Sequence, residues 1–360
     1  MQRIVAEISR SAILNNLGLI RKRAGKARVC AVVKADAYGH GAVIVASLLE
    51  AEGVDFFAVA TLEEGIELRL GGITSPILIL GYTPVSYAAE IAEYKLTQTL
   101  ISPEYSAALS ARLAWLGIKI RAHIKVDTGM HRLGFDFNDA ESIFKACTHP
   151  CYEIEGIFSH FSTADEPDDL DFVTLQEGRL ELVCKQLSAH GISIPIKHIA
   201  NSAAIRIGTH TLDMVRAGIS LYGYGDPQSV PVMTVRSHII SLRRIKRGER
   251  VGYSSQFQAL RDSVIATVPA GYDDGVRRDL SERGVSLLVR GREARVFGRV
   301  CMDYLMLDVT DISDAFVGDD VIIFGNVPGH TAEDVAAKLG TIPHEILTSV
   351  SLRAKRILVD

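Results

Sequence analysis

The stretch VVKADAYGHG, residues 32–41, decides how this chain is read. An apolar run, VCAVV (29–33), ends abruptly in Lys34. Tyr38 follows four residues later, and then Gly39, His40 and Gly41. A lysine at the end of a buried strand holds its amine in a low-dielectric mouth, where desolvation favours the neutral form. A neutral lysine amine is a nucleophile able to form a Schiff base with a carbonyl carbon. The alternative is a strand-end lysine that snorkels to water. This stretch alone does not choose between the two.

Working outward, short apolar runs recur: FFAVA (56–60), ILIL (77–80), TQTLI (97–101), IKIRAHIKV (118–126), IEGIFS (154–159), IKHIA (196–200) and DMVRA (213–217). With VCAVV they make eight, and segments of helical period lie between most of them. Thr61-Leu62-Glu63-Glu64 is a capping box that opens a helix closed by Gly71-Gly72. Residues 170–190 read as a long amphipathic helix ended by Gly191. Eight strands alternating with helices predict a (β/α)8 barrel, with a doubly wound sheet as the rival. After Asp226-Pro227 the texture becomes β-rich: 232–251, 263–269, 285–289, 294–300, 304–309 and 320–324, with helical patterns only at 331–339 and 343–349. The expected fold class is therefore α/β plus β. An N-terminal (β/α)8 TIM-like barrel spans 1–226, with residues 1–10 pairing with the second domain, and a C-terminal mainly β domain spans 227–360.

At 360 residues two domains are the expectation, and 48% hydrophobic with 23% charged residues is an ordinary globular mixture. A net charge of −4 gives no electrostatic reason to expect a nucleic-acid or anionic-membrane partner. No apolar run is long enough to span a bilayer. The N-terminus, MQRIVAEISRSAI, alternates polar and apolar residues and reads as neither signal nor transit peptide. The five cysteines (Cys30, Cys147, Cys151, Cys184 and Cys301) are odd in number and lack zinc-ligand spacing. A reducing cytoplasm is the expected location, and no metal is expected.

In a barrel of this kind the loops after the strand C-termini build the active site. Lys34 follows the first run. His123, Lys125, Asp127 and Arg132 lie on or after the fifth. His160 follows the sixth, Asn201 and Ser202 the seventh, and Arg216 ends the eighth. Singly, each has a structural explanation: a satisfied core histidine, an ion-pair partner, a helix cap. Together they place cations, a histidine and small phosphate-compatible side chains around one mouth.

The motifs VVKADAYGHG, KVDTGMHRLGF, SHFSTADE, ANSAA, MVRAGISLYG, VGYSSQF, PAGYDDG and GRVCMDY occur in this order. As a set they closely resemble the bacterial alanine racemases, fold-type III enzymes that use pyridoxal 5'-phosphate. The resemblance implies that Lys34 is the Schiff-base lysine, with Tyr38 beside the cofactor and Leu80 near its ring. It implies that Arg132 reaches the cofactor's phenolic oxygen and the substrate. His160 bridges toward Arg216, which faces the pyridine nitrogen. Ser202, Gly218 and Ile219, with Asn201 beside them, match the phosphate cradle. Tyr253 resembles the second acid/base, and Tyr272, Met302 and Asp303 the substrate-contacting residues. The resemblance further implies that these four come from the partner subunit of a homodimer with shared active sites. Lys125 matches a position that in some relatives is carbamylated; an unmodified lysine paired with Asp127 is the alternative.

The implied activity is two-base racemisation between L- and D-alanine, supplying D-alanine for peptidoglycan. One departure bears on substrate. Where relatives carry a tyrosine that hydrogen-bonds the phosphate and borders the substrate side chain, SVSLRAKR places Leu352. That opens a broader alanine/serine racemase as a second reading. A fold-type III decarboxylase is disfavoured by Arg216, because a carboxylate at that place would deepen the electron sink. A non-catalytic pyridoxal-phosphate-binding protein is disfavoured by the second domain and Tyr253.

Overall fold

The computed structural model describes residues 2–166, 169–255 and 257–360, so Gln256 of the VGYSSQF motif lies outside the described residues. Eight parallel strands form one sheet: Arg28–Val32, Phe56–Val59, Ile77–Ile79, Thr97–Leu100, Ile120–Asp127, Tyr152–Phe158, Ile196–His198 and Met214–Ala217. They are called barrel strands 1 to 8 below. Each pairs with the next up to strand 7, and strand 8 pairs with strand 1. Strands 7 and 8 meet through Asp213 N–H to Lys197 O (3.0 Å) and Arg216 N–H to Ala200 O (3.1 Å). These bonds bring the edges together and exclude the open doubly wound sheet. The strands are largely buried because helices cover them outside and packed side chains fill them inside. Phe57, Ala58, Ile77 and Leu78 are fully buried. The capping box forms as read: Thr61 Oγ1 accepts from Glu64 N–H, and the helix Leu62–Leu70 follows.

The second sheet has nine strands, in the order Ser241–Ile245, Ser263–Val268, Leu305–Asp308, Arg292–Val296, Ser286–Val289, Asp320–Phe324, Met233–His238, Val5–Ser9 and Lys355–Val359. The N-terminal strand Val5–Ser9 sits inside it, antiparallel to Met233–His238 and parallel to Lys355–Val359. The last of these lies at the edge, where the exposed Lys355 discourages further pairing. The helices Ala332–Leu339 and Pro343–Ser349 complete this part.

Between the two sheets lies the segment after Lys34. Ala35, Asp36, Ala37 and Tyr38 all take φ of 52–54° and ψ of 41–52°, one turn of left-handed helix built without glycine. Such residues cost roughly 1–2 kcal/mol each. Neighbours hold them. Ala35 N–H donates to Glu64 Oε1 (2.6 Å), Ala42 N–H to Asp36 Oδ1 (2.7 Å) and Gly41 N–H to Asp36 O (2.9 Å). His40 is fully buried, with Nδ1 2.9 Å from the carbonyls of both Ala37 and Tyr38. Arg356 Nε donates to Gly39 O (3.0 Å), and a side chain at Gly39 would collide with the Leu347 carbonyl. The helix Pro343–Ser349 thus seals one side of the barrel mouth.

Candidate active site

A cavity of about 700 Å³ opens at the C-terminal mouth of the barrel. Lys34, Tyr38, Leu80, Lys125, Arg132, His160, Asn201, Ser202, Arg216, Gly218 and Ile219 all line it. Residues from six barrel strands or their following loops therefore converge, as strand C-termini in this architecture should.

Arg216 is the centre of the polar floor. It lies within barrel strand 8 and is 3% exposed. Its guanidinium donates to Ser159 O (2.9 Å), Ile199 O (2.9 Å), His160 Nδ1 (3.1 Å) and His198 Nδ1 (2.6 Å). Arginine has five donors and no acceptor, so both imidazole Nδ1 atoms must accept. His198 then carries its proton on Nε2, and donates it to His123 Nδ1 at 2.9 Å. His123 in turn carries its proton on Nε2, which has no partner. One arginine thereby sets the tautomer of three imidazoles. The same burial and charge keep them neutral. His123 is pushed down to about 3, and His198 and His160 fall well below the ordinary imidazole range, in each case first through burial and then through Arg216. Burial lowers Arg216 itself to about 10, which leaves it cationic at neutral pH. Phe158 stacks on His198 (4.6 Å, 6°) and faces both the Arg216 guanidinium and Lys125 Nζ.

Lys34 is lowered from the ordinary lysine value by burial and by the Arg132 charge, with Glu64 opposing. That shift favours the nucleophilic amine. Lys125 is lowered further by burial, Arg216 and Arg132, against Asp127. Lys125 and Asp127 form no ion pair; Asp127 instead accepts from Gly129 N–H (2.9 Å) and His131 N–H (3.1 Å).

The opposite end is built to receive an anion. Ser202 Oγ accepts from Gly218 N–H (3.0 Å) and Ser220 N–H (3.3 Å) and lies 3.1 Å from Ser220 Oγ. Asn201 caps the short helix beginning at Ser202 through Ala204 N–H (3.0 Å). A Cβ at Gly218 would stand 2.8 Å from Tyr38 Oη, so only glycine leaves that space open. Burial raises the Tyr38 hydroxyl to about 12, keeping it a donor. A phosphate fits this cradle, with backbone N–H groups and hydroxyls as its partners.

The structure does not bring Tyr253, Tyr272, Met302 or Asp303 into this cavity. Tyr253, Tyr272 and Met302 are 66%, 43% and 52% exposed. Three of the four residues form one patch: Tyr272 N–H donates to Cys301 O (3.0 Å), Asp273 N–H to Met302 O (3.1 Å), and Asp303 pairs with Arg353 (2.9 Å). Leu352, beside Arg353, is 87% exposed and does not line the cavity. Four polar lining residues were not among the expected site residues: Asp165, Arg206, His344 and Thr348. His198 was also missed. Its signal was present, since IKHIA places it two residues from both Ile196 and Ala200, on one face of the strand.

The chain is similar throughout to proteins of known family. The profile "Alanine racemase, N-terminal domain" matches residues 8–226 and "Alanine racemase, C-terminal domain" matches 232–358. Alanine racemase 2 of Caldanaerobacter subterraneus subsp. tengcongensis is 43% identical, with 98% of this chain and 94% of that protein covered. The structure of alanine racemase from Clostridium difficile 630 superposes with a TM-score of 0.94 at 38% identity, covering 99% of this chain and 96% of that one. That of Bacillus anthracis alanine racemase with bound L-Ala-P gives 0.93 at 30% identity, covering 100% and 96%. A closed cationic barrel mouth, a mainly β second part and full-length similarity agree, and the chain belongs to the alanine racemase family.

Proposed function

We propose that this protein is a pyridoxal 5'-phosphate-dependent racemase that interconverts L- and D-alanine with two bases. It would act in the cytoplasm as a homodimer and supply D-alanine for peptidoglycan. The observation that carries the reading is the pairing of Lys34 with Arg216 across one cavity whose only carboxylate, among the described lining residues, is Asp165. We take residues 1–226 as the unit that holds the cofactor and 227–360 as the unit that supplies the second acid/base.

The residues present fit the cofactor. Lys34 would hold its aldehyde carbon, and Ser202, Gly218, Ile219 and Tyr38, with Asn201 beside them, its phosphate. Leu80 would lie by its ring, while Arg132 and His160 would complete its polar edge. When bound, the cofactor withdraws electron density from the substrate's α-carbon, so that the α-hydrogen can leave as a proton. Arg216 donates without surrendering a proton, and keeps a facing ring nitrogen neutral. Held neutral, the ring would be a weaker electron sink, and return of the proton to the α-carbon would be favoured over transamination. Lys34 moves the proton on one face and Tyr253 on the other. Tyr272, Met302 and Asp303 contact the substrate from the same side as Tyr253.

The test is a racemisation assay with each enantiomer of alanine and serine, read by chiral chromatography. Either enantiomer of alanine should converge on a mixture. Convergence with serine as well would support the broader alanine/serine reading, for which Leu352, outside the cavity, gives no structural ground. Amine and CO₂ as products would identify a decarboxylase, and no turnover by cofactor-loaded protein a binding protein.

Tyr253 does not line the cavity of its own chain, so activity should require two subunits. Lys34→Ala and Tyr253→Phe proteins should each be inactive, and mixing them should restore part of the activity through hybrid sites. Demonstrated subunit exchange without recovered activity would refute sharing across subunits.

Lys125 is proposed to carry a carbamate. A desolvated neutral amine adds to CO₂, forming an N–C bond and releasing one proton, and the resulting anion would pair with Arg132. The absence of any Lys125–Asp127 pair motivates this. Protein equilibrated with ¹³C-bicarbonate should show a carbamate carbon resonance, absent in Lys125→Ala. That variant should lose roughly 10- to 100-fold in activity, as a misplaced catalytic group does, with partial rescue by acetate. No resonance and full activity in Lys125→Ala would count against the modification.

A further inference from the structure

The backbone ladder between barrel strands 1 and 2 changes partner at the residue after Lys34. Val33 N–H donates to Ala58 O (2.9 Å). In a parallel ladder the next donor would be Ala35 and the next acceptor the Ala60 carbonyl. Ala35 N–H donates instead to Glu64 Oε1 (2.6 Å), and Ala60 N–H donates to Glu64 Oε2 (2.7 Å). The Ala60 carbonyl faces Gly81, where a Cβ would stand 2.5 Å from it. A side-chain carboxylate is thus spliced between two strand ends in place of a neutral carbonyl.

Helix capping does not require this arrangement. The capping box asks Glu64 only for the Thr61 N–H, which its Oε2 also accepts, at 3.3 Å. Its two shorter bonds go to the strand ends, and bonds to a carboxylate are about twice as strong as those between neutral groups. The Ala35 N–H belongs to the same peptide as the Lys34 carbonyl. Upstream, the Val32–Val33 peptide is held by Ala58 O and by Tyr222 Oη, which donates to Val32 O (2.9 Å). Lys34 therefore leaves the barrel between two pinned peptides. Asp36 and Arg356 grip the turn further on, at Ala42 and Gly39.

The charge matters for a base in this mouth. The titratable groups that face Lys34 are Glu64, Arg132 after barrel strand 5, His160 after barrel strand 6, and His344 on the helix Pro343–Ser349. Burial first holds both imidazoles below their ordinary range, so near pH 7 they bring no charge. Lys125, Asp165, Arg206 and Arg216 share the cavity. Burial and Arg132 lower the Lys34 amine, and the Glu64 carboxylate opposes them. A general base works best when its basicity is matched to the working pH.

We propose that Glu64 is a positioning residue for Lys34: its carboxylate, spliced between the ends of barrel strands 1 and 2, aims the lysine into the cavity and offsets the positive charge around it. The proposal rests on the reading of Lys34 as cofactor lysine and base. Ala35 and Ala60, the two residues that Glu64 holds, both line the cavity. Glu64 acts through them and through its charge, without touching the substrate.

The test reads the Lys34 amine directly in full-length apoprotein, by its rate of acetylation with acetic anhydride across neutral and alkaline pH, followed by peptide mapping. Glu64→Gln keeps the shape and an oxygen able to accept from Ala35 N–H, and removes the charge. Thr61→Ala removes the other half of the capping box and leaves the carboxylate. In Glu64→Gln the Lys34 titration midpoint should fall by about half to one pH unit, the size of a partly screened charge pair. The exposed Lys22 should titrate as in wild type. Thr61→Ala should lower stability and leave the Lys34 midpoint in place. In the holoenzyme, Glu64→Gln should lower kcat by roughly 3- to 30-fold with KM within about twofold. An unchanged Lys34 midpoint in folded Glu64→Gln, or an equal shift in Thr61→Ala, would leave Glu64 as a helix cap and overturn the proposal. If Glu64→Gln does not fold, Glu64→Asp decides. It keeps the charge but falls short of the Ala35 N–H, so kcat should drop with KM retained, and a wild-type kcat there also overturns the proposal. Wild-type protein whose Lys34 takes up no pyridoxal 5'-phosphate would instead refute the cofactor reading, while the acetylation result would still stand.

Discussion

Lys34→Ala protein is expected to fold normally and to lose racemisation by about four orders of magnitude. Two roles end with one side chain: the covalent attachment that fixes the cofactor, and the acid/base on one substrate face. Loss of general acid–base catalysis alone costs about 10²- to 10⁴-fold, and loss of the covalent step adds to it. Stability should change little, because the deletion removes a partly buried amine whose surroundings already disfavour its charge. Borohydride reduction of the wild-type holoenzyme, followed by peptide mapping, should place the cofactor on the peptide containing Lys34. A label on another lysine, with Lys34→Ala racemising at the native rate, would sink the assignment.

Arg216→Glu is expected to have the second largest effect, and on two observables at once. The arginine satisfies two carbonyls and two imidazole nitrogens in a floor that is almost fully buried. Replacing it leaves those acceptors facing a further acceptor. Breaking a buried charged network typically costs about 3–5 kcal/mol, so the urea midpoint should fall accordingly. The chemistry should change as well. A carboxylate can share a proton with the cofactor's ring nitrogen, which deepens the electron sink. The α-proton is then returned to the wrong carbon more often, and alanine yields pyruvate, measurable with a coupled dehydrogenase. Reduced racemisation without any pyruvate, in a variant that remains folded, would show that Arg216 does not face the ring nitrogen. Arg216→Lys would keep the charge but lose the fork that reaches four acceptors, so it should be destabilised without producing pyruvate.

Much of the architecture was legible in the sequence because the barrel strands have no solvated face. Runs such as FFAVA and ILIL carry no alternation to confuse with an amphipathic helix, and their spacing leaves room for one helix between each pair. The edge strand Lys355–Val359 gave no such signal: Ile357 and Leu358 are neighbours, both more than a third exposed, so no period of two survives. The left-handed turn was equally silent. Its residues are Ala, Asp, Ala and Tyr, of which only aspartate tolerates that conformation readily. It exists because Glu64, Arg356 and the Leu347 backbone, all distant in sequence, hold it. His344 escaped notice for a related reason. In TIPHEIL it reads as one polar position of a short helix, and nothing local says that this face closes a barrel mouth. The resemblance supplied Tyr253, Tyr272, Met302 and Asp303, which single-chain geometry would not have gathered around Lys34.

The row of neutral imidazoles has a consequence for how the protein meets acid. His123, His198, His160 and His40 are all held below the free value of 6.5, His123 to about 3 and His40 to about 4. Above 6.5 they are neutral whether the chain is folded or not, and they contribute nothing to the pH dependence. Below 6.5 the unfolded chain takes up protons that the folded chain refuses. Each such histidine then lowers stability by about 1.4 kcal/mol per pH unit until its folded pKa is reached. The floor that keeps Arg216 in place is therefore also a proton debt, called in on acidification. Urea midpoints should slope only gently from pH 8 to about 6.5, where the lowered amines of Lys34 and Lys125 contribute, and then fall much more steeply toward pH 4. Stopped-flow unfolding into an indicator dye at pH 5 should show proton uptake, not release. A flat midpoint across that window would mean that the imidazoles are already charged in the folded protein.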